Sequence, residues 1–248
     1  MVCANITSNG NKAVAGRWSR TGLIWLLYYL GWRFAQLVAA RRDIKGVAVY
    51  AITFDDGRKE ECFSRIEAAL DLIEHYDPSR WRSVRAVFNS IFVLGNRSIL
   101  GRCHHRLRMC EISESFVVSK DASPERIASV IVHEAMHAHL LNRGVPYTSE
   151  LRARIERLCT TAEIAFLKRV PTGGEVLKVL RRRMSWPDEL WSEQVAIRRQ
   201  LDELQRLGTP QWIVRLIEKR VIGRENRGRV IGLASGGRLG QPRADHCA

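Results

Sequence analysis

His133 and His137 stand one helical turn apart in the segment 131–137, "IVHEAMH", and Glu134 follows the first histidine directly. On an α-helix the two histidines differ by about 40° in azimuth, so both imidazoles leave one face. Two ring nitrogens at that spacing can reach a single zinc ion about 2 Å from each. Glu134, about 100° round the helix, can flank a metal without ligating it and take a proton from water held there. This is the HExxH spacing, which a random chain of this length contains with a frequency on the order of 1%. Ile127, Val130, Ile131, Ala135, Ala138 and Leu141 make the same stretch largely apolar. Ionisable groups on or beside a buried face need partners, and a metal supplies them together. His139 falls on the far side of this helix and is not a candidate ligand.

A catalytic zinc usually takes three protein ligands and leaves one position open. Acidic candidates for the third lie in the next helical segment, where Ile155, Leu158, Ala162 and Phe166 define an apolar stripe. Glu156 and Glu163 both border that stripe, about 20° apart in azimuth and about 10 Å apart along the axis. Helical phase does not separate them. Either could instead be a solvated flank or the partner of a nearby arginine.

"HEAMH" with a glutamate on the following helix resembles the gluzincins, the thermolysin-like branch of the zincin metallopeptidases. The resemblance covers about residues 47–170. It implies an α+β fold in which a small, mostly antiparallel sheet packs on the HExxH helix, with further helices after it. It also implies a zinc cofactor, a protein or peptide substrate, His133 and His137 as ligands and Glu134 as the catalytic base. The family interval favours Glu156 as third ligand, with Glu163 the alternative. Ala135 departs from the bulky apolar residue that many zinc peptidases carry after the glutamate. The metzincin extension would need a glycine at position 140 and a histidine at 143; the chain has Leu140 and Arg143.

Several elements must position these residues. "GVAVYAITFDD" predicts a strand from about residue 47 to 54, ended by the Asp55-Asp56-Gly57 turn. Cys62, Phe63, Ile66, Ala69, Leu70 and Ile73 recur at helical spacing over 59–75, and Asp77-Pro78 predicts the end of that helix. A strand is expected around 90–94, and "HRLRMCEIS" and "ESFVVSK" read as two more, paired as a hairpin. Ser123 as N-cap, Pro124 in the first turn and Gly144 as the stop define a helix over 124–142. A second helix is expected over about 149–170, closed by Pro171 and Gly173-Gly174, and two more in 184–221.

The chain has 248 residues and a formal net charge of +14. The domain reading is a disordered N-terminus (1–16), an apolar and basic helix (17–45), a metallohydrolase core (46–172), C-terminal helices (173–222) and a flexible basic tail (223–248). In the helical segment 17–45 an apolar run is flanked by Arg17, Arg20, Arg41 and Arg42 and interrupted by Arg33. It can be an interfacial or membrane-anchoring helix, a cleaved signal (Val38-Ala39-Ala40 resembles a cleavage site) or a helix packed on the protein's own core. Six cysteines without paired spacing suggest reduced thiols in a cytoplasmic protein, although Cys103 and Cys110 could pair across a hairpin.

The positive charge supports an alternative function: a basic protein binding nucleic acid or an acidic membrane, with the zinc site vestigial, structural or absent. Trp81 among Arg80, Arg82 and Arg85 could stack on a base, and Arg181–Arg183 could contact phosphate. Each reads as readily as a solvated helix face. His104-His105 and Tyr147 are further candidates for transition-state hydrogen bonds, against ordinary roles as a solvated pair and a packing residue.

Overall fold

The computed structural model describes residues 20–53, 55–95, 100–206 and 208–218. The proposed disordered N-terminus (1–16) and basic tail (223–248) lie outside them. The chain divides into two compact units, residues 1–196 and 197–248. In the second, α8 (Glu193–Arg206) ends and residues 211–218 are helical.

The first unit is α+β. Its sheet has five strands: β1 (Ala40–Ile44), β2 (Val47–Ala51), β3 (Ser90–Leu94), β4 (Gly101–His104) and β5 (Met109–Ser113), in the order β1-β2-β3-β5-β4. β1 and β2 form an antiparallel hairpin through Lys45 and Gly46. Both have positive φ, 54° and 76°, as a tight two-residue turn requires. β2 with β3 and β3 with β5 are parallel, and β4 closes the far edge antiparallel to β5. The sheet is therefore mixed, which corrects the expectation of a mostly antiparallel one. The cause is the crossover after β2. Two helices, α2 (Asp56–Tyr76) and α3 (Pro78–Val87), carry the chain back before β3 begins, so β3 runs the same way as β2.

Sequence reading missed α3 because Asp77-Pro78 looks like a stop. Asp77 does end α2, its N–H bonding to Ile73 O, but its side chain also accepts from Arg80 N and starts α3. Pro78 takes the first position, where no N–H is needed. Three further corrections concern boundaries. Residues 114–117 form a short helix, α4 (Glu114–Val117), and the partner of β5 is β4, upstream of the predicted pair. Within the predicted helical segment 17–45, α1 covers Arg20–Val38 of the described residues, and residues 40–44 are the edge strand β1. α7 (Gly174–Met184) begins at the glycines that read as a terminator.

Alternation along β3 separates two layers. Ile91 and Val93 face α2, α3 and α5 (Pro124–Asn142) across the main core, with Val49, Ile66, Leu70, Val84 and Ile131. Phe92 faces the other way and joins Tyr50 and Met109 in a smaller cluster capped by Trp32 and Ala35 of α1 and by Ala39 just after it. Trp81, read as a possible base-stacking residue, is buried in the main core. No described helix is long and apolar enough to cross a membrane. α5 is a central element, packed on α2, α3, α6 (Arg152–Leu167) and β4.

Asp77 offers a test of the α2–α3 corner. Its carboxylate is buried, accepts from Ser79 Oγ, Arg80 N and Arg80 Nε, and pairs with Arg169 at 3.2 Å. Burial pushes its pKa up, but the hydrogen bonds outweigh burial and hold it below the ordinary carboxylate value. Asp77→Ala should lower the unfolding free energy by about 1–2 kcal/mol in urea denaturation. A carboxyl with a depressed folded pKa contributes fully above its unfolded pKa, and that contribution is lost as pH falls through the folded value. The wild-type advantage should therefore be constant near neutrality and shrink below about pH 4.

Candidate metal centre

Ser123 accepts from Arg126 N, Pro124 opens α5, and Gly144 with φ 76° follows its end, as the sequence predicts. The helix presents His133 and His137 on one face. Their Nε2 atoms are 3.1 Å apart and the rings cross at 63°. Opposite stands α6. Glu156 Oε2 lies 3.4 Å from His133 Nε2, and Glu156 Oε1 lies 3.5 Å from His137 Nε2. Two turns further along, Glu163 Oε1 is 2.6 Å from the other nitrogen of His133, Nδ1. The two glutamates share a helical phase but reach opposite nitrogens of one imidazole. His133, Glu134, Glu156 and Glu163 are all buried.

The electrostatics follow from that crowding. Two imidazole nitrogens at 3.1 Å repel unless a proton or a cation lies between them. Burial alone would strip the proton from His133, yet Glu163 and Glu156 overcome it and raise its pKa well above the ordinary value. Burial and the neighbouring His133 charge push His137 down to about 4. His133 thus donates Nδ1–H to Glu163. Burial also works against an ionised Glu156, but His133, His137 and the Tyr147 hydroxyl prevail and hold it well below the carboxylate range. Burial, reinforced by Glu156 and Glu163, lifts Glu134 to about 7, opposed by His133 and by a backbone N–H from Cys103.

A third side chain of α6 enters the site. Cys159 Sγ, His133 and His137 offer ligand atoms that all lie within 4.8 Å of one another, so this buried group could hold a metal ion. Cys159 stands one turn after Glu156 and is fully buried. Burial and the charges of Glu156, Glu134 and Glu163 push its thiol pKa far up, so it would bind as a thiolate only against that field. The sequence reading missed it because no second cysteine marks it. The signal was its place three residues past Glu156, on the same side of the helix.

Around this group lies a polar shell. Tyr147 donates to Glu156 Oε1 at 2.6 Å, and Arg183 Nη2 donates to Glu156 Oε2 at 3.2 Å. Arg183 lies over the Trp191 ring at 4.7 Å, and Arg152 over Tyr147 at 5.2 Å. Arg157 fastens the intervening loop through Met184 O, Trp186 O and Asp188. The basic run at 181–183 thus sends one arginine inward, which its composition did not reveal. His104 does not join the site: it bonds Glu111 and Tyr28 on the other face of the sheet. His105 bonds Asn142 at the surface.

β4 forms the remaining wall. The Ser113 N–H bonds Leu100 O, so the alternate pair Cys103–Cys110 is not hydrogen-bonded, and Cys103 turns its N–H outward toward Glu134. Cys62, Cys103, Cys110 and Cys159 are free thiols. Gly101 lets the strand approach: an added Cβ would stand 2.6 Å from Val130 Cγ1 and 3.1 Å from Glu134 Cγ. No protein-family model, curated protein or solved structure matches the chain.

Gly101→Ala should therefore cost about 1–3 kcal/mol of stability, seen as a lower thermal midpoint. Val130→Ala removes the atom in closest conflict, so the double variant should be more stable than the two single losses predict. Strictly additive losses would mean that β4 yields freely and does not hold Glu134.

Proposed function

We propose that this protein is a zinc-dependent hydrolase of the metallopeptidase kind, with His133, His137 and Glu156 as metal ligands and Glu134 as general base. The observation that carries the reading is the spacing of donor atoms. Bonds of about 2.0–2.1 Å in tetrahedral geometry separate zinc donors by about 3.3 Å. The two Nε2 atoms are 3.1 Å apart, and each has its own Glu156 oxygen close by, Oε2 at 3.4 Å from His133 and Oε1 at 3.5 Å from His137. Glu156 is preferred to Cys159 because it is already ionised and already faces both nitrogens, whereas the Cys159 thiol must lose a proton among three carboxylates.

Zinc bound there would supply Lewis acidity, acidifying water and polarising a substrate carbonyl. The chain's own residues do the rest. Glu163 accepts Nδ1–H of His133, so Nε2 is the nitrogen that would face a metal once its proton is displaced. Tyr147 and Arg183 hold the Glu156 carboxylate in one orientation. Glu134, steadied by the Cys103 N–H, takes the proton of the attacking water and returns it to the leaving nitrogen.

Freshly purified protein should carry about one equivalent of zinc by elemental analysis, as a single site of this type requires. Glu156→Ala should lose it on dialysis. Glu163→Ala should keep most of it, because an outer partner of a ligand histidine typically changes affinity only about 10–100-fold. Cys159→Ser should also retain it. Glu134→Gln should keep zinc while peptide hydrolysis disappears. If Cys159→Ser empties the site and Glu156→Ala does not, the ligand set is His133, His137 and Cys159. If Glu134→Gln changes nothing that the protein does, the zinc is structural and the basic-binding alternative takes its place.

A further inference from the structure

α1 is apolar on two faces, and only one of them is covered. Tyr28, Trp32 and Ala35 point along one side toward the sheet. Trp32 meets Phe92 edge-on at 5.2 Å and His104 at 5.0 Å. Tyr28 donates its hydroxyl to His104 Nδ1, and His104 Nε2 donates to the buried Glu111 at 2.6 Å. These contacts tie the helix to the sheet at Tyr28, Trp32 and Ala35. The opposite side carries Leu27, Leu30, Phe34, Leu37 and Val38, within an arc of about 100°. They are exposed, Phe34 at 66% and Leu37 at 82%. A contiguous apolar stripe on an exposed helix marks an interaction surface.

Charge identifies the occupant. Residues 17–42 contain Arg17, Arg20, Arg33, Arg41 and Arg42 and no aspartate or glutamate. Among the described side chains, Arg33 on α1 is exposed at the edge of the stripe, Arg41 on β1 is exposed and lies over the Tyr50 ring, and Arg42 is engaged with Glu60. A second copy of this chain placed on the same stripe would bring like charges together. An anionic bilayer presents acyl chains to the leucines and phosphates to the arginines. We propose that α1 lies in the plane of an anionic membrane surface, its outer stripe at the acyl boundary and its inner face latched to the sheet. Drawing α1 across the bilayer would take Tyr28 from His104 and Trp32 from Phe92, so in the folded unit these contacts oppose a spanning orientation. The proposal is independent of the metal site and stands or falls without reference to hydrolysis.

The full chain is tested by sedimentation with vesicles of phosphatidylcholine and phosphatidylserine, and with vesicles of phosphatidylcholine alone. The wild type should sediment with the mixed vesicles, less so as salt rises, and remain in the supernatant with the neutral ones. Phe34→Glu combined with Leu37→Glu should lower partitioning by more than about tenfold. These side chains make no core contact, so the variant should keep its circular dichroism spectrum and thermal midpoint. Leu30→Glu alone provides a second, milder variant. Binding to neither vesicle, or equal binding to both, overturns the proposal. So does a wild-type dimer in sedimentation equilibrium that Phe34→Glu dissociates, because the stripe would then be a contact between copies.

Discussion

Two imidazoles and three carboxylates occupy a space between α5, α6 and β4 from which most water is excluded. Ionised groups in such a place are costly unless each charge is matched and each lone pair is used. Nearly every local feature of the structure answers that requirement. Glu163 and Glu156 together hold positive charge at His133, Tyr147 and Arg183 satisfy Glu156, and the Cys103 N–H meets Glu134. Arg183 reaches in only because Trp191 supports its guanidinium and Arg157 ties down the loop that follows α7. The site is therefore a property of several elements packed together, not of the motif on α5 alone.

The sheet makes that packing possible. Its parallel centre is apolar on both faces, so each face must be covered by helices. One face receives α2, α3 and α5 and builds the larger core under the histidines. The other receives α1 through a smaller aromatic cluster, with a buried Glu111–His104–Tyr28 chain inside it. β4 serves both sides. His104 points to α1, while Gly101 and Cys103 lie against α5. One short edge strand thus fixes the helix on one face and a wall of the candidate metal centre on the other.

How much of this the sequence carried depends on the range of the forces involved. α5 was readable end to end, because Ser123, Pro124 and Gly144 act on their own backbone within a few residues. The single-face placement of His133 and His137 was readable for the same reason, since it needs only helical geometry. Local rules failed where one residue served two elements. Asp77 is both a stop and a start, and the Gly173-Gly174 pair precedes a helix instead of only ending one. The mixed sheet was hidden too, because strand direction depends on the path of α2 and α3 and not on strand composition.

The sequence by itself determined the HExxH helix, the apolar phase of α6 and the arginine-rich, acid-free stretch around α1. Only the tertiary structure decided which partner each side chain meets. Glu156 and Glu163 have the same phase on α6, and nothing within that helix distinguishes them. The distinction comes from where α6 lies along α5, which brings one glutamate to the Nε2 side of His133 and the other to Nδ1. Cys159, Arg183 and Gly101 entered the site in the same way, through contacts between segments far apart in the chain. Backbone propensities act over a few residues and can be read locally. Pairing inside a buried polar cluster depends on translations of a few ångströms between packed helices, and only the folded arrangement of the whole unit sets those.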